Sequence, residues 1–469
     1  MKARWLTGLV ALSLVIAACG GSGDGTTTTT AAGNTTTTQG GGDTTTTAAQ
    51  AELKYDVGVT PAPCEDAVNE GNGCIYLGII SDLTTGPFAA LGVPLTSAQR
   101  DFWQRVNDNG GLDGFDVIIR DEDVIDAHYN AEEHATGYEQ IRGRVAALAQ
   151  TLGTPQTQGI LDKMAEDNMI GAPATWWSGW NFSDTGGDLI LESGASYCFE
   201  AMNGLAFMAS VLPESFTWGL VRFPGDYGGD YGAGALMAAS MLGLPDPLFD
   251  IYPFVPISAG GTVDEAVATI LQHKPDLIVL VSGPVEMAQI AAGVFQGGHQ
   301  AFQILGASPT WNVALKANEQ LMPLLEAVYK GTHPWAGWDT DSTGHAAVRE
   351  YAEANWFDAS QNRGPSGAYI AGWTWQYPIK AMLEKAIADN DLTRAHLAEV
   401  AASLEGVDYE GILPTRSYAG SPNDNTVRHT FISKADANAS DGLSLISPAE
   451  GYTADIVANF PFESPCFTN

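Results

Sequence analysis

The chain has 469 residues, 45% of them hydrophobic, and its 55 acidic residues outnumber its 21 basic residues to give a formal net charge of −34 at pH 7. A chain of this length is too long to fold around one small hydrophobic core, so we predict two or three domains. The hydrophobic fraction is ordinary for a globular protein, whereas the negative charge repels phosphate backbones and anionic lipid headgroups and so argues against a nucleic-acid partner.

The N-terminus joins a basic start to an apolar run and a cysteine. Lys2 and Arg4 precede an apolar run over 5–18. Residues 16–19 read Ile-Ala-Ala-Cys, which resembles a lipobox. The run is too short for a permanent transmembrane helix. We therefore predict a lipoprotein signal peptide over 1–18 and a lipid anchor on Cys19. The alternative is a secretory leader followed by a chance cysteine.

A low-complexity segment follows the cysteine. Residues 19–53 are mostly Gly, Thr and Ala, with three uninterrupted threonine runs. Such a composition cannot form a packed core, so we predict a disordered tether that reaches roughly 30 Å. The tether would hold a globular head away from the membrane.

Four further cysteines follow the tether, at Cys64, Cys74, Cys198 and Cys466. Export and an even count predict two disulfides, for which three pairings exist. We favour Cys64–Cys74, which closes a short loop, and this leaves Cys198–Cys466 to hold the C-terminal segment against the body. A zinc site is the alternative, but the spacings do not fit one and no histidines cluster nearby. We therefore predict no metal site.

From Cys74 onward, short apolar runs alternate with segments whose apolar residues recur at helical spacing. The predicted elements of the first half are a strand over 75–80, a helix over 97–109, a strand over 115–120, a helix from about 131, and a helix over 155–168. Thr154 is the predicted N-cap of the last helix, since Pro155 stands at its first position.

The same alternation restarts after Cys198. The predicted elements are a strand over 218–221, a helix over 231–242, a helix opened by a capping box at Thr262 and Glu265, a strand over 276–281, a helix over 286–296, a strand over 304–306 and a long helix near 369–388. Alternating strands and helices predict parallel sheets covered on both faces, so the fold class is α/β. Two such runs predict two lobes.

Five short motifs occur in a characteristic order and spacing. They are Leu-Thr-Thr-Gly-Pro at 83–87, Asn-Gly-Gly-Leu-Asp-Gly at 109–114, Asp-Glu-Asp at 121–123, Asp-Tyr-Gly-Ala-Gly at 230–234 and Arg-His-Thr-Phe at 428–431. Over about 76–431 the chain thereby resembles the type I periplasmic binding proteins of the branched-chain amino acid transport family. Gly110 and Gly111 suit the positive φ that a tight helix-to-strand turn requires.

The resemblance implies two Rossmann-like lobes with parallel sheets, joined by a three-crossover hinge. Lobe 1 would comprise 74–195 and 333–405, and lobe 2 would comprise 198–330 and 406–440. Residues 441–469 would form a C-terminal return segment across the body.

Ligands of open α/β sheets bind beyond the carboxyl ends of the strands, where helix N-termini favour electron-rich groups. With the family placement, the predicted ligand-binding residues are Thr154, Ala174, Thr175 and Trp176 on one lobe, and Asp226, Tyr231 and Trp311 on the other. We expect the Thr154 hydroxyl to hold an electron-rich group, Trp176 to stack on the ligand, and an acid such as Asp226 to balance an ammonium group. The alternatives are a simple helix cap, tryptophans packed between the lobes, and an exposed loop acid.

One departure from the family concerns specificity. Amino-acid binders of the family often carry a glutamate after the strand that corresponds to 304–306, but residues 307–312 read Ala-Ser-Pro-Thr-Trp-Asn. We therefore expect a ligand that is less zwitterionic than leucine.

Enzyme signatures are missing from the sequence, which contains no G-x-S-x-G, H-E-x-x-H or G-x-x-x-x-G-K-[ST] motif. We predict an extracytoplasmic solute-binding lipoprotein, anchored to the cell membrane by its N-terminal lipid, without catalytic residues or cofactor. It would capture a small polar or amphipathic solute, such as an amino acid, an amide or a related small organic acid, and deliver it to an ABC permease. The alternatives are a ligand-sensing receptor subunit of the same fold and a hydrolase.

Overall fold

The structure is a computed structural model that describes residues 52–468. The predicted signal peptide, Cys19 and nearly all of the tether lie outside the described residues. The first segment contains β1 (Lys54–Tyr55), β2 (Val59–Thr60), β3 (Gly73–Ser81), α1 (Ala89–Asp108), β4 (Phe115–Ile118), β5 (Val124–Asp126), α2 (Ala131–Ile141), β6 (Ala147–Thr151), α3 (Thr154–Gln158) and α4 (Leu161–Asp167).

The first sheet is built around β3, whose nine residues are all buried. β4, β5 and β6 pair with it in parallel, and β2 pairs with it antiparallel. A strand that is buried on both faces reads as a continuous apolar run, which is why the sequence predicted it well. The turn before β4 contains Gly110 and Gly111 at φ of 99° and 81°, as the motif requires.

The second segment contains α5 (Tyr197–Val211), β7 (Trp218–Arg222), α6 (Gly225–Leu242), β8 (Asp250–Ile251), α7 (Asp264–His273), β9 (Leu277–Val281), α8 (Pro284–Gln296), β10 (Gln303–Gly306), α9 (Met322–Val328) and β11 (Tyr329–His333). Its strands β8, β7, β9, β10 and β11 are parallel neighbours in that order.

The remaining segment contains α10 (Thr343–Tyr351), α11 (Gly367–Thr374), α12 (Gln376–Ala388), β12 (Asp391–Leu392), α13 (Arg394–Ala402), α14 (Pro422–Asn425), β13 (Phe431–Ala435), β14 (Leu443–Leu445) and α15 (Asp455–Ala458). α11 packs along α1, and β12 pairs with β1 in a separate two-stranded sheet, so this part of the chain returns to the first lobe. β13 and β14 then extend the second sheet antiparallel beyond β11. The two α/β lobes predicted from the sequence are therefore present.

The chain passes between the lobes three times, but its last crossing is later than predicted. Residues 406–427, which were assigned to lobe 2, pack on lobe 1. There Arg105 forms an ion pair with Glu410 at 2.8 Å, and Arg416 forms one with Glu192 at 3.1 Å. We therefore define lobe 1 as residues 54–195 with 334–427, and lobe 2 as 197–333 with 428–447.

Both favoured disulfides are present, Cys64–Cys74 and Cys198–Cys466, which removes the zinc alternative for these cysteines. The second bridge holds the C-terminal segment where the lobes meet. Cys198 begins the second lobe, whereas the backbone N–H of Cys466 donates to Ser178 Oγ on the first lobe at 2.9 Å. Cys466 thus contacts both lobes.

Several element boundaries differ from the sequence predictions. The long helix predicted over 369–388 is two helices that meet at Trp375, and the helix predicted over 155–168 is divided into α3 and α4. α6 begins six residues earlier than predicted, at Gly225. Within the described range 52–468, none of the helices has the length and apolar character needed to cross a membrane.

Candidate functional site

A cavity lies between the two lobes, with about 930 Å³ of empty space when its opening to solvent is included. Lobe 1 contributes mainly apolar walls, including Phe88, Leu91, Leu95, Ala174, Trp176 and Trp335. Lobe 2 contributes the side chains of Tyr197, Asp226, Tyr227, Trp311, His333 and Asp441. Of the seven predicted ligand-binding residues, five line this cavity: Ala174, Thr175, Trp176, Asp226 and Trp311.

Trp176 forms an aromatic wall on lobe 1. Its ring stacks on Trp375 with centroids 4.5 Å apart, and Trp335 lies 5.3 Å away on centroids. Its Nε1 donates to the carbonyl oxygen of Ser193 at 2.8 Å, so the indole is fixed in orientation and only 6% exposed. A tryptophan that already has its hydrogen bond offers a ligand an apolar face.

The segment that follows β6 contacts the segment that precedes Trp176 through the hydroxyl groups of Thr154 and Thr175. Thr154 Oγ1 lies 2.9 Å from Thr175 Oγ1, which also accepts from Trp180 Nε1 at 3.0 Å. Thr154 is the first residue of α3, with Gly153 at the N-cap position, so its side chain does not cap the helix. It is fully buried behind Thr175 and does not line the cavity. Ala174 has a φ of 47°, a costly conformation for a residue with a β-carbon.

Asp226, the second residue of α6, is a buried acid in the cavity wall. It is 3% exposed, and burial raises its pKa to about 6 against the opposing effect of the Thr154 hydroxyl. Its Oδ2 has no hydrogen-bond partner among residues 52–468. Since no Lys or Arg belongs to the described cavity lining, Asp226 has no counter-charge there.

Tyr231, a predicted ligand contact, does not line the cavity. Its ring is fully buried in lobe 2, and its hydroxyl lies 3.0 Å from Thr332 Oγ1. Tyr227, one helical turn earlier, lines the cavity instead, with its hydroxyl 3.1 Å from the carbonyl oxygen of Ser282 and 3.0 Å from Thr310 Oγ1. The earlier start of α6 accounts for the difference, because the cavity meets the first turn of the helix.

The loop after β10 forms the opposite wall and contains no acid, as the sequence indicates. Trp311 packs on Tyr329 with centroids 5.1 Å apart, and its Nε1 donates to the carbonyl oxygen of Asp441 at 3.1 Å. The backbone N–H and hydroxyl of Ser308 both donate to Glu200, whose pKa burial raises to about 8. Asp441 lies in the loop between β13 and β14 of lobe 2, and burial raises its pKa to about 7.

The cavity residues that the sequence did not predict include His333, Trp335 and Asp441. They stand at the second crossover and near the C-terminal strands, far in sequence from the motifs. Burial lowers the pKa of His333 to about 4, so its imidazole is neutral, and neither ring nitrogen has a partner among the described residues. A buried histidine without hydrogen-bond partners indicates a binding site in a structure. The sequence shows only that His333 stands apart from other histidines, which does not indicate a site.

A family model described as periplasmic binding protein matches residues 75–439. The chain belongs to this family. The match spans both lobes and the first, second and third crossings, and it includes all of the described cavity lining except Asp441 and Leu443. No curated protein sequence matches the chain.

Solved structures share the fold. A fatty acid ABC transporter substrate-binding protein from Thermomonospora curvata is 24% identical, with a TM-score of 0.75 over 87% of this chain and 97% of that one. A branched-chain amino acid ABC transporter protein from Thermus thermophilus, with bound valine, is 17% identical, with a TM-score of 0.67 over 82% and 98%. A possible leucine/isoleucine/valine-binding protein from Rhodopirellula baltica SH 1 is 17% identical, with a TM-score of 0.64 over 80% and 96%. Type I periplasmic binding proteins therefore share this architecture.

Proposed function

We propose that this protein is the solute-binding component of an ABC importer and captures an amphipathic solute in the cavity between its lobes. The observation that carries the proposal is the position of the cavity, whose walls come from both lobes. A ligand that contacts both walls stabilises the closed arrangement, because hinge closure follows differential contact with the two states. The closed, loaded form would then be presented to the permease.

The chemistry of the walls favours a solute with a sizeable apolar body. Phe88, Leu95, Trp176 and Trp335 present apolar surface, and the described lining lacks a Lys or Arg that would pair with a carboxylate. Asp226 Oδ2, which has no partner, suits a hydrogen-bond donor on the ligand. Of the predicted ligand classes, an amide fits these groups better than a zwitterionic amino acid. The similarity to the fatty acid ABC transporter substrate-binding protein from Thermomonospora curvata also supports a ligand with an apolar body.

We further propose that the protein acts outside the cytoplasm and is anchored through a lipid on Cys19. The two disulfides support an oxidising compartment. The lipobox-like residues 16–19 and the threonine-rich segment that follows support the anchor.

The test is to identify by mass spectrometry the small molecule that co-purifies with the protein, and to measure its affinity by calorimetry. Trp176→Ala and Tyr227→Ala should each weaken binding at least about tenfold, the usual effect of removing a well-packed aromatic contact. Tyr55→Ala, at an exposed strand far from the cavity lining, is the matched control and should bind as the wild type does.

Two results would contradict the proposal. Unchanged affinity in both cavity variants would show that the ligand binds elsewhere. Recovery of the ligand in chemically altered form, at a rate that depends on protein concentration, would favour the hydrolase alternative.

A further inference from the structure

Two glycines on neighbouring strands make room for the Tyr329 side chain, and we call the position above Gly331, between Tyr329 Oη and His333 Nε2, the notch. Gly306 of β10 and Gly331 of β11 are paired directly across the sheet. A β-carbon on Gly331 would lie 2.8 Å from Tyr329 Oη and 3.2 Å from His333 Nε2, and one on Gly306 would lie 2.6 Å from the same hydroxyl. Neither glycine has a positive φ, so these positions need glycine for space and not for backbone conformation.

Three buried polar atoms surround this notch. Tyr329, Gly331 and His333 alternate along β11 and therefore share one face of the sheet. Tyr329 is fully buried and His333 is 4% exposed, yet Tyr329 Oη and both ring nitrogens of His333 have no hydrogen-bond partner among residues 52–468. Buried polar groups in native proteins are nearly always paired, so this cluster indicates a recognition site.

The notch adjoins the cavity. His333 lines the cavity directly, and its ring lies 5.6 Å from that of Trp335, another lining residue. Tyr329 packs against Trp311, which forms part of the opposite wall. Tyr329 is fully buried and does not line the cavity, so a ligand whose apolar body lies between the tryptophans would meet His333 first and the Tyr329 hydroxyl behind it.

We propose that Tyr329 and His333 bind the polar head of the solute, and that this head is an uncharged group that both donates and accepts hydrogen bonds, a primary amide or a hydroxyl. This inference rests on the proposed function and names its substrate class. A neutral imidazole offers one donor and one acceptor, and a phenol donates, so a head with both capacities satisfies the cluster.

The surroundings disfavour a charged head. No Lys or Arg in the described lining neutralises a carboxylate. Three buried acids are candidates to pair with an ammonium group: Glu200, which already accepts from Ser308 and Thr332, and the lining residues Asp226 and Asp441. Burial raises the pKa of Glu200 to about 8 and that of Asp441 to about 7, which reduces their negative charge near neutral pH, whereas Asp226, with a pKa of about 6, stays largely ionised there. Burial of a charge without a partner is more costly than burial of a neutral polar group.

Four probes with one apolar body test the head group: 1-octanol, octanamide, octanoate and octylammonium. Calorimetry would use the full chain carrying Cys19→Ser, which removes the predicted lipidation site. We expect 1-octanol and octanamide to bind at least about tenfold more tightly than the two charged probes. Tighter or equal binding of either charged probe overturns the inference, and so does the absence of binding by all four.

Two variants test the location. Gly331→Ala places a methyl group in the notch, and His333→Phe keeps a ring but removes both nitrogens; each should weaken octanamide binding at least about tenfold. Gly143→Ala is the control, since its β-carbon would meet nothing within 4 Å. If Trp176→Ala weakens octanamide binding but neither notch variant does, the head-group assignment is wrong and the cavity stands. If Trp176→Ala also has no effect, the proposed cavity is wrong.

Discussion

Asp226→Asn should make the ligand-free protein more stable at alkaline pH. Burial raises the pKa of this carboxyl to about 6 from an ordinary value of 3.8. Between these two values the native state holds a proton that the unfolded state has lost, so native stability falls as pH rises and stays low above about pH 6. A difference of this size corresponds to about 3 kcal/mol, because each pKa unit is worth about 1.4 kcal/mol. Asn keeps the shape of the side chain and removes the charge.

The assay is urea unfolding of wild type and variant at several pH values. The sequence pI is about 4.3, so pH 4.5 is a practical lower limit for solubility. Part of the destabilisation is already present at pH 4.5, which leaves a gain of about 2 kcal/mol for the variant between pH 4.5 and 8. Asp246→Asn, at an exposed position, is the control and should show no pH-dependent difference. A pH-independent difference for Asp226→Asn would refute the reasoning.

The other predictions concern the anchor, the C-terminal segment and the core. Cys19→Ser should release the protein from membranes into the soluble fraction, whereas continued membrane attachment would exclude the lipid anchor. Replacing Cys198 and Cys466 together by serine should lower the free energy of unfolding by about 2–5 kcal/mol, as measured by denaturant titration, and an unchanged midpoint would contradict this. Tyr231→Ala should lower stability by about 3–5 kcal/mol, because the ring is fully buried, whereas an exposed ring would cost little.

The sequence predicted the parts of the fold that depend on local pattern. β3 was evident because it is buried on both faces, and the disulfides followed from the number and positions of the cysteines. Helix starts were predicted less accurately. The start of α6 was placed six residues too late, and this affects which of its tyrosines lines the cavity. Tyr227 and Tyr231 are four residues apart and so lie on the same face of α6. Only the true start of the helix, at Gly225, decides which of the two reaches the cavity.

The cavity residues His333 and Asp441 could not be predicted from the sequence, for a different reason. His333 and Asp441 carry no periodicity or motif, and each acquires its surroundings from segments distant in sequence. His333 ends β11, and Asp441 reaches the cavity through the loop between β13 and β14, where its carbonyl oxygen accepts from Trp311. Charge neutralisation by burial is also a property of the folded chain, since it raises the pKa of Asp441 to about 7.

The glycine pair shows what kind of signal a sequence lacks. In a sequence, glycine is usually interpreted as a turn or a helix stop, because those positions need a positive φ. Gly306 and Gly331 lie inside strands without a positive φ, and glycine in that setting weakens a strand. The presence of glycine at these two positions is therefore explained by what packs above the sheet. The sheet register pairs them, and packing sets the Tyr329 hydroxyl over both. The two glycines therefore accommodate the Tyr329 ring, and the unpartnered polar atoms beside them support the proposed recognition of a ligand head.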